Sequence, residues 1–342
     1  MRKALIATAL LVVVIALGVI VGGVLWGRLH DPYQGYEGNE QFVVIARGTG
    51  TAAIGRRLVE AGVVRDELAF RVAVRWTGRS RALQAGEYRF DRPLSASDVV
   101  ERLARGDVYA RRITFPEGLT IREMAAIYQS RDFGPAAHFL EAAANASLIR
   151  DLDAEAVDLE GYLFPETYAL PRETPASRLI AMMVARFRAT YTDAWRRSAQ
   201  AQELTTRQVV TLASLVEKET GKADERPIVA AVYRNRLKIG MGLQADPTVV
   251  YALQKAGQYN GNIRRDDLAL DSPYNTYRHA GLPPGPIAAP GAASLEATLM
   301  PAPVSYLYFV SRNDGSHAFA ETLPEHNRNV QEFQVRFFRR LR

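Results

Sequence analysis

From Ala4 to Trp26 the chain carries no charge and consists almost wholly of Leu, Val, Ile, Ala and Gly. A helix of about 20 such residues crosses the hydrocarbon core of a bilayer. Arg2 and Lys3 precede the run, and Asp31, Glu37 and Glu40 follow it. Positive charge on the short leading side predicts an N-terminus in the cytoplasm and the bulk of the chain beyond the membrane. A cleaved signal peptide has a shorter apolar run, about 7–15 residues, closed by a small-x-small site. Here the run is longer and ends in Val-Leu-Trp-Gly-Arg, which favours an uncleaved anchor over residues 1–27. Trp26 and Arg28 then suit the far interface. The lack of cysteine is compatible with export but does not require it.

The remaining length is enough for two folded parts with a sizeable core. Net charge is +6, yet Arg and Lys alternate with Asp and Glu and form no block. With no nucleic-acid-binding motif, this argues against a nucleic-acid partner. It suits an anionic cell-wall polymer or lipid headgroups. Residues 28–40 are polar, with Pro32, Gly35 and Gly38, and read as a linker.

Beyond the linker one pattern recurs three times: a strand, a Gly/Pro turn, a Ser/Thr cap and an amphipathic helix. The copies begin at Phe42, Gly86 and Arg112. In the third, Thr120 and Glu123 have capping-box spacing. Residues 41–112 are therefore expected to form a small α+β binding module. Residues 113–342 read as a mainly helical domain. Helices are expected over 136–146, from Thr174-Pro175 through Tyr191, from Thr205 to a stop at Gly221, from Asp224 and from Asp246. Residues 272–291 are too rich in Pro and Gly for a helix. Asn313-Asp-Gly315 closes a hairpin between residues 306–310 and 317–320, and a helix with Phe333, Phe337 and Phe338 ends the chain. The fold class is α+β.

Five histidines lack close ligand spacing, and there are no thiols, so neither a metal nor another cofactor is expected. Phosphate-binding glycine loops and the GxSxG elbow are missing. Carboxylate chemistry remains. In residues 213–220, ASLVEKET, Glu217 sits in the last turn of a mostly buried helix. That turn carries partial negative charge, so a neutral carboxylic acid is favoured there, the form a general acid needs. Spacing alone better fits a surface glutamate paired with Lys218 or Lys222. Glu219 points elsewhere and fits a solvated position. In residues 159–168, LEGYLFPETY, three aromatics lie among two carboxylates. Tyr162, Phe164 and Tyr168 could face sugar rings or fill a core. Asn235, Gln244-Ala-Asp246 and Tyr274-Asn-Thr-Tyr277 supply amides and hydroxyls suited to N-acetyl and hydroxyl groups.

These strings resemble the YceG-like (MltG) family, membrane-anchored endolytic lytic transglycosylases of bacterial peptidoglycan. The matching residues are 159–168, 213–220, 235–237 (NRL), 243–248 (LQADPT), 274–277 (YNTY), 281–287 (GLPPGPI) and 306–310 (YLYFV), in family order. The resemblance implies a catalytic domain over 113–342, a LysM-like subdomain over 41–112, and a single pass through the inner membrane with catalysis on the periplasmic face. It further implies cleavage of the β-1,4 bond between N-acetylmuramic acid and N-acetylglucosamine in nascent peptidoglycan glycan strands, leaving 1,6-anhydro ends and terminating elongation. Glu217 corresponds to the family's catalytic glutamate, acting as acid and then as base. Substrate contacts are expected from Glu160, Tyr162, Asn235, Gln244, Asp246, Tyr274, Asn275 and Tyr277, and peptidoglycan synthases are expected partners. Two alternatives stay open. One is a hydrolase pairing Glu217 with Asp246 or Glu160; the other is a cell-wall-binding scaffold without activity.

Overall fold

The computed structural model describes residues 2–172 and 174–340. The fold mixes helix and sheet. The apolar run lies within one long helix, α1 (Arg2–His30), whose side chains from Leu10 to Val24 are exposed. This helix is long and apolar enough to cross a membrane. By internal contacts the chain divides into two units, Met1–Arg111 with Ala169–Arg172, and Arg112–Tyr168 with Glu173–Arg342.

The first unit continues with β1 (Gln41–Ile45), α2 (Thr51–Glu60), α3 (Glu67–Trp76), β2 (Gly86–Phe90) and α4 (Ala96–Arg105). The strands pair antiparallel, Val43 opposite Tyr88 and Ile45 opposite Gly86. Alternation turns Val43, Ile45, Tyr88 and Phe90 inward, where Ile54, Leu58, Phe70, Val74, Val99 and Leu103 meet them. Leu29, at the end of α1, joins the same core. The first two copies of the sequence pattern are therefore one module, because each strand supplies the other's hydrogen bonds. Helix α3 has the amphipathic spacing of a surface helix and an Asp66 cap, but it lies outside the repeated pattern.

The second unit starts with β3 (Arg111–Thr114), whose first residue still belongs to the first unit, as do Ala169 and Leu170 of its partner strand, and with α5 (Ile121–Ser130) and α6 (Ala136–Ala143). It continues with β4 (Thr167–Leu170), α7 (Ala176–Thr190), α8 (Asp193–Ala201), α9 (Thr206–Glu219), α10 (Arg226–Lys238) and α11 (Asp246–Lys255). Next come α12 (Ala292–Leu299), the antiparallel hairpin of β5 (Tyr308–Ser311) and β6 (His317–Ala320), and α13 (Leu323–Val330). A π-helical segment (Gln331–Arg336) and α14 (Phe337–Arg340) follow. Strand β3 pairs with β4, and the third copy of the pattern belongs here.

Helix α9 is the axis of this unit. Thr205 and Gln208 cap it reciprocally, and every side chain from Val209 to Val216 is buried. Its apolar surface is a full turn wide rather than a stripe, and α10, α11 and α12 all pack on it. Leu212, Leu215 and Val216 meet Val229, Tyr233, Ile287 and Ala297. The helix stops one residue earlier than its glycine suggests. Thr220 turns extended (φ −138°) and its hydroxyl donates to Glu225, 3.1 Å away, while Gly221 takes no left-handed conformation.

Candidate active site around Glu217

Glu217 lies on the final turn of α9, at the edge of the buried surface, and its side chain is only 7% exposed. Two segments close over it. The Pro/Gly-rich run is laid along α9 by the Ile287 N–H, which donates to the Ser214 hydroxyl at 3.1 Å. That run ends at Gly291, the N-cap of α12, whose N–H donates to Glu217 Oε2 at 3.0 Å. The positive end of a helix thus faces the carboxyl that sits at the negative end of another.

The second segment is Pro116-Glu117-Gly118, between β3 and α5. Gly118 has φ +77°, a left-handed conformation that favours glycine. Its N–H donates to the Ala289 carbonyl, the Ala289 N–H donates to the Leu119 carbonyl, and Lys218 Nζ donates to the Gly118 carbonyl. The loop is thereby stitched to both α9 and the Pro/Gly-rich run. This geometry carries Glu117 to the site. A Cβ at Gly291 would stand 1.8 Å from Glu117 Oε1, so the glycine is what lets that carboxyl approach.

Arg226, first residue of α10 and 12% exposed at its side chain, faces both acids. Its Nη2 lies 3.6 Å from Glu217 Oε1 and 3.9 Å from Glu117 Oε2. Both are charge contacts, too long for hydrogen bonds. Partial burial and the Glu217 charge raise Glu117 above the usual carboxylate range, with Arg226 opposing. Glu117 was missed in the sequence, where it passes for a turn residue. Its signal was the left-handed glycine beside it, which alone does not say what the turn approaches.

The other expected site residues fall into separate groups. Glu160 is buried: its carboxylate accepts the Ile121 N–H at 3.1 Å, capping α5, and the Tyr251 hydroxyl at 3.3 Å. Burial pushes it up to about 8, the Ile121 and Tyr251 hydrogen bonds opposing. It lines a cavity of about 480 Å³ with Ile121, Asp158, Tyr251 and Lys255; Glu217 is not among the lining residues. Tyr274 is half-buried and packs on Tyr251, with ring centroids 4.9 Å apart. Tyr162 is 1% exposed, and its hydroxyl donates to Asp153 at 2.7 Å, so its ring fills the core. Asn275 is fully buried and donates to the carbonyls of Leu268 and Leu270. Asn235 ties down the chain before β5 by donating to Val304 and Tyr306.

Asp246 and Tyr277 are exposed, and the Tyr277 hydroxyl donates to Asp246 at 2.5 Å. Gln244 is exposed and left-handed (φ +47°). Glu219 departs from the solvated position expected of it. It is partly buried, accepts the Tyr233 hydroxyl at 2.8 Å, and is raised by burial. The reason is α10, which supplies buried Tyr233 on the face of α9 that the sequence pattern left open to solvent.

A single carboxyl held at one oxygen by a backbone amide, its other oxygen without a hydrogen bond among the described residues, can exchange a proton with a bound substrate. A family model for the YceG-like family matches residues 43–332, across both units. The chain belongs to the YceG-like family. It is 32% identical over 333 residues to an endolytic murein transglycosylase of Bacillus subtilis, covering 92% of this chain and 91% of that protein. A protein of the same description from Streptococcus pneumoniae serotype 2 is 30% identical, over 85% of this chain but 58% of the longer relative. Among solved structures, the 2.6 Å crystal structure of a YceG-like protein from Listeria monocytogenes superposes with a TM-score of 0.59. It is 30% identical and covers 85% of this chain and 98% of that one.

Proposed function

We propose that this YceG-like protein is an endolytic murein transglycosylase, a carbon–oxygen lyase acting within peptidoglycan strands. The observation that carries the reading is Glu217, a nearly buried carboxyl held by the Gly291 amide and facing Arg226. It belongs to a chain that matches a murein transglycosylase over nine-tenths of both lengths. Protonated Glu217 gives its proton to the glycosidic oxygen as the bond to C1 of N-acetylmuramic acid breaks. The resulting carboxylate takes the proton of that sugar's C6 hydroxyl, which closes on C1. A 1,6-anhydro end forms, no water is consumed, and Glu217 returns to its starting state.

Helix α1 supports an anchor in the inner membrane, with the leading Arg2-Lys3 inside and catalysis on the outer face. That tether restricts the enzyme to glycan near the membrane, where strands are nascent and their synthases are neighbours. The strand–helix–helix–strand order of β1 to β2 supports a LysM-like glycan-binding role for the first unit. Exposed Gln244, Asp246 and Tyr277 and half-buried Tyr274 remain proposed substrate contacts.

Glu117 supports a second reading. A hydrolase needs a second carboxyl, and the one beside Glu217 is Glu117 rather than Asp246 or Glu160. Product masses from defined uncrosslinked glycan separate the two. Anhydro ends are expected; ends heavier by one water would establish the hydrolase. Binding to sacculi without release would instead favour an inactive scaffold.

A further inference from the structure

We propose that Glu117 is the proton-sharing partner of Glu217: the two carboxyls and Arg226 work as one unit that starts each cycle with a single shared proton. The inference rests on the transglycosylase reading above. Both acids sit on the same residue, Gly291. Its N–H holds Glu217 Oε2 at 3.0 Å, and its missing side chain leaves the space that Glu117 Oε1 occupies. Both acids also face one guanidinium nitrogen. Two carboxylates beside one cation leave a net negative charge, and one proton neutralises the group.

Among the described residues, the charged groups near Glu117 are these. Helix α9 presents Glu217 and Lys218, whose ammonium is committed to the Gly118 carbonyl; α10 presents Arg226; the Pro/Gly-rich run presents the Gly291 backbone. The raised proton affinity of Glu117, caused by partial burial and by the Glu217 charge, agrees with this geometry.

The consequence for the reaction is directional. The pair exchanges its one proton, and it reacts from the form in which Glu217 holds the proton and Glu117 is ionised. Glu217 passes the proton to the departing oxygen, and both acids are then anions. Their repulsion makes Glu217 a stronger base toward the C6 hydroxyl, whose proton restores the original state. Glu117 touches no reacting atom in this scheme and is a positioning residue that acts through Glu217.

The test compares pH–rate profiles for release of anhydro ends by the detergent-solubilised full chain. Glu117→Gln removes the repelling charge. Its alkaline limb is expected to move acid-ward by about one pH unit, so that activity falls about tenfold on the alkaline side of the profile and much less on the acid side. Gly291→Ala leaves both acids in the chain but places a methyl where the Glu117 carboxyl lies. It is expected to shift the profile the same way. A loss equal at every pH, or no shift, overturns the proposal. A second measurement is independent of turnover: ¹³C NMR titration of the Glu117 carboxyl in the wild type and in Glu217→Gln. Sharing requires the Glu117 midpoint to fall when the Glu217 charge is removed, and an unchanged midpoint overturns it. Should the wild type release only water-added ends, the transglycosylase reading fails, while the NMR comparison still decides the pair.

Discussion

Glu217 and Glu160 are carboxyls of the same unit, both with largely buried side chains, yet their surroundings differ. Glu160 has both oxygens engaged, one by the first amide of α5 and one by Tyr251. It joins α5 to α11, and burial dominates its protonation. Glu217 has one oxygen engaged and the other facing a cation beyond hydrogen-bond reach, with a second acid alongside. Burial alone therefore does not mark a candidate catalytic acid. The distinguishing feature is an oxygen left without a hydrogen bond among the described residues, in a setting that can accept a change of charge.

The sharpest attack on that contrast is a pair of isosteric replacements. Glu217→Gln is expected to reduce release of anhydro ends about a thousandfold or more, with the thermal midpoint nearly unchanged. Glu160→Gln is expected to keep activity within a few-fold. Equal losses in the two variants would erase the distinction. Next in size, Glu160→Ala strands the Ile121 amide and the Tyr251 hydroxyl in a buried place. Urea denaturation should show a loss of about 2–3 kcal/mol.

The pH dependence of stability probes the same strut. Glu160 is raised from 4.5 to about 8 in the fold. Below 4.5 both folded and unfolded chains hold the proton, and its stabilising contribution is complete. As pH climbs toward 8 the unfolded chain has already released the proton, so that contribution is progressively lost, by an amount on the order of 5 kcal/mol. Glu160→Gln should flatten this slope; a wild-type stability that rose across the interval would contradict the assignment. Asn275→Ala, which frees two carbonyls in the loop before Tyr277, should cost about 1–2 kcal/mol. The smallest effect is expected from Tyr277→Phe, under about 1 kcal/mol in stability. A clear rise in KM with kcat unchanged would assign the Tyr277 hydroxyl to substrate binding.

Much of the helical framework was legible because its signals are local. The capping boxes at Thr120 and Thr205, the Pro at the start of α10 and α11, and the Asn313-Asp-Gly315 turn each fix a few neighbouring backbone groups. Helix α12 escaped notice, since Ala-Ala-Ser-Leu-Glu-Ala-Thr-Leu has a weak apolar pattern. Its small residues nevertheless suit close packing on α9. Tyr162 and Asn275 drew attention by their chemistry in motifs, but their polar atoms are spent within the fold. A side chain's type states which bonds it can make and is silent on which partners have already taken them.

By itself the sequence determined the apolar N-terminal helix and the family and singled out one acid as the catalytic candidate, because each rests on a run or motif of adjacent residues. The tertiary structure alone decided the company of that acid. Glu117 lies 100 positions before Glu217 and Gly291 lies 74 after it. Only the packing of the 116–118 turn, α10 and the start of α12 around the end of α9 brings a second carboxyl, a guanidinium and an amide to one place. Such an arrangement depends on contacts between distant segments, and no local pattern in the chain encodes it.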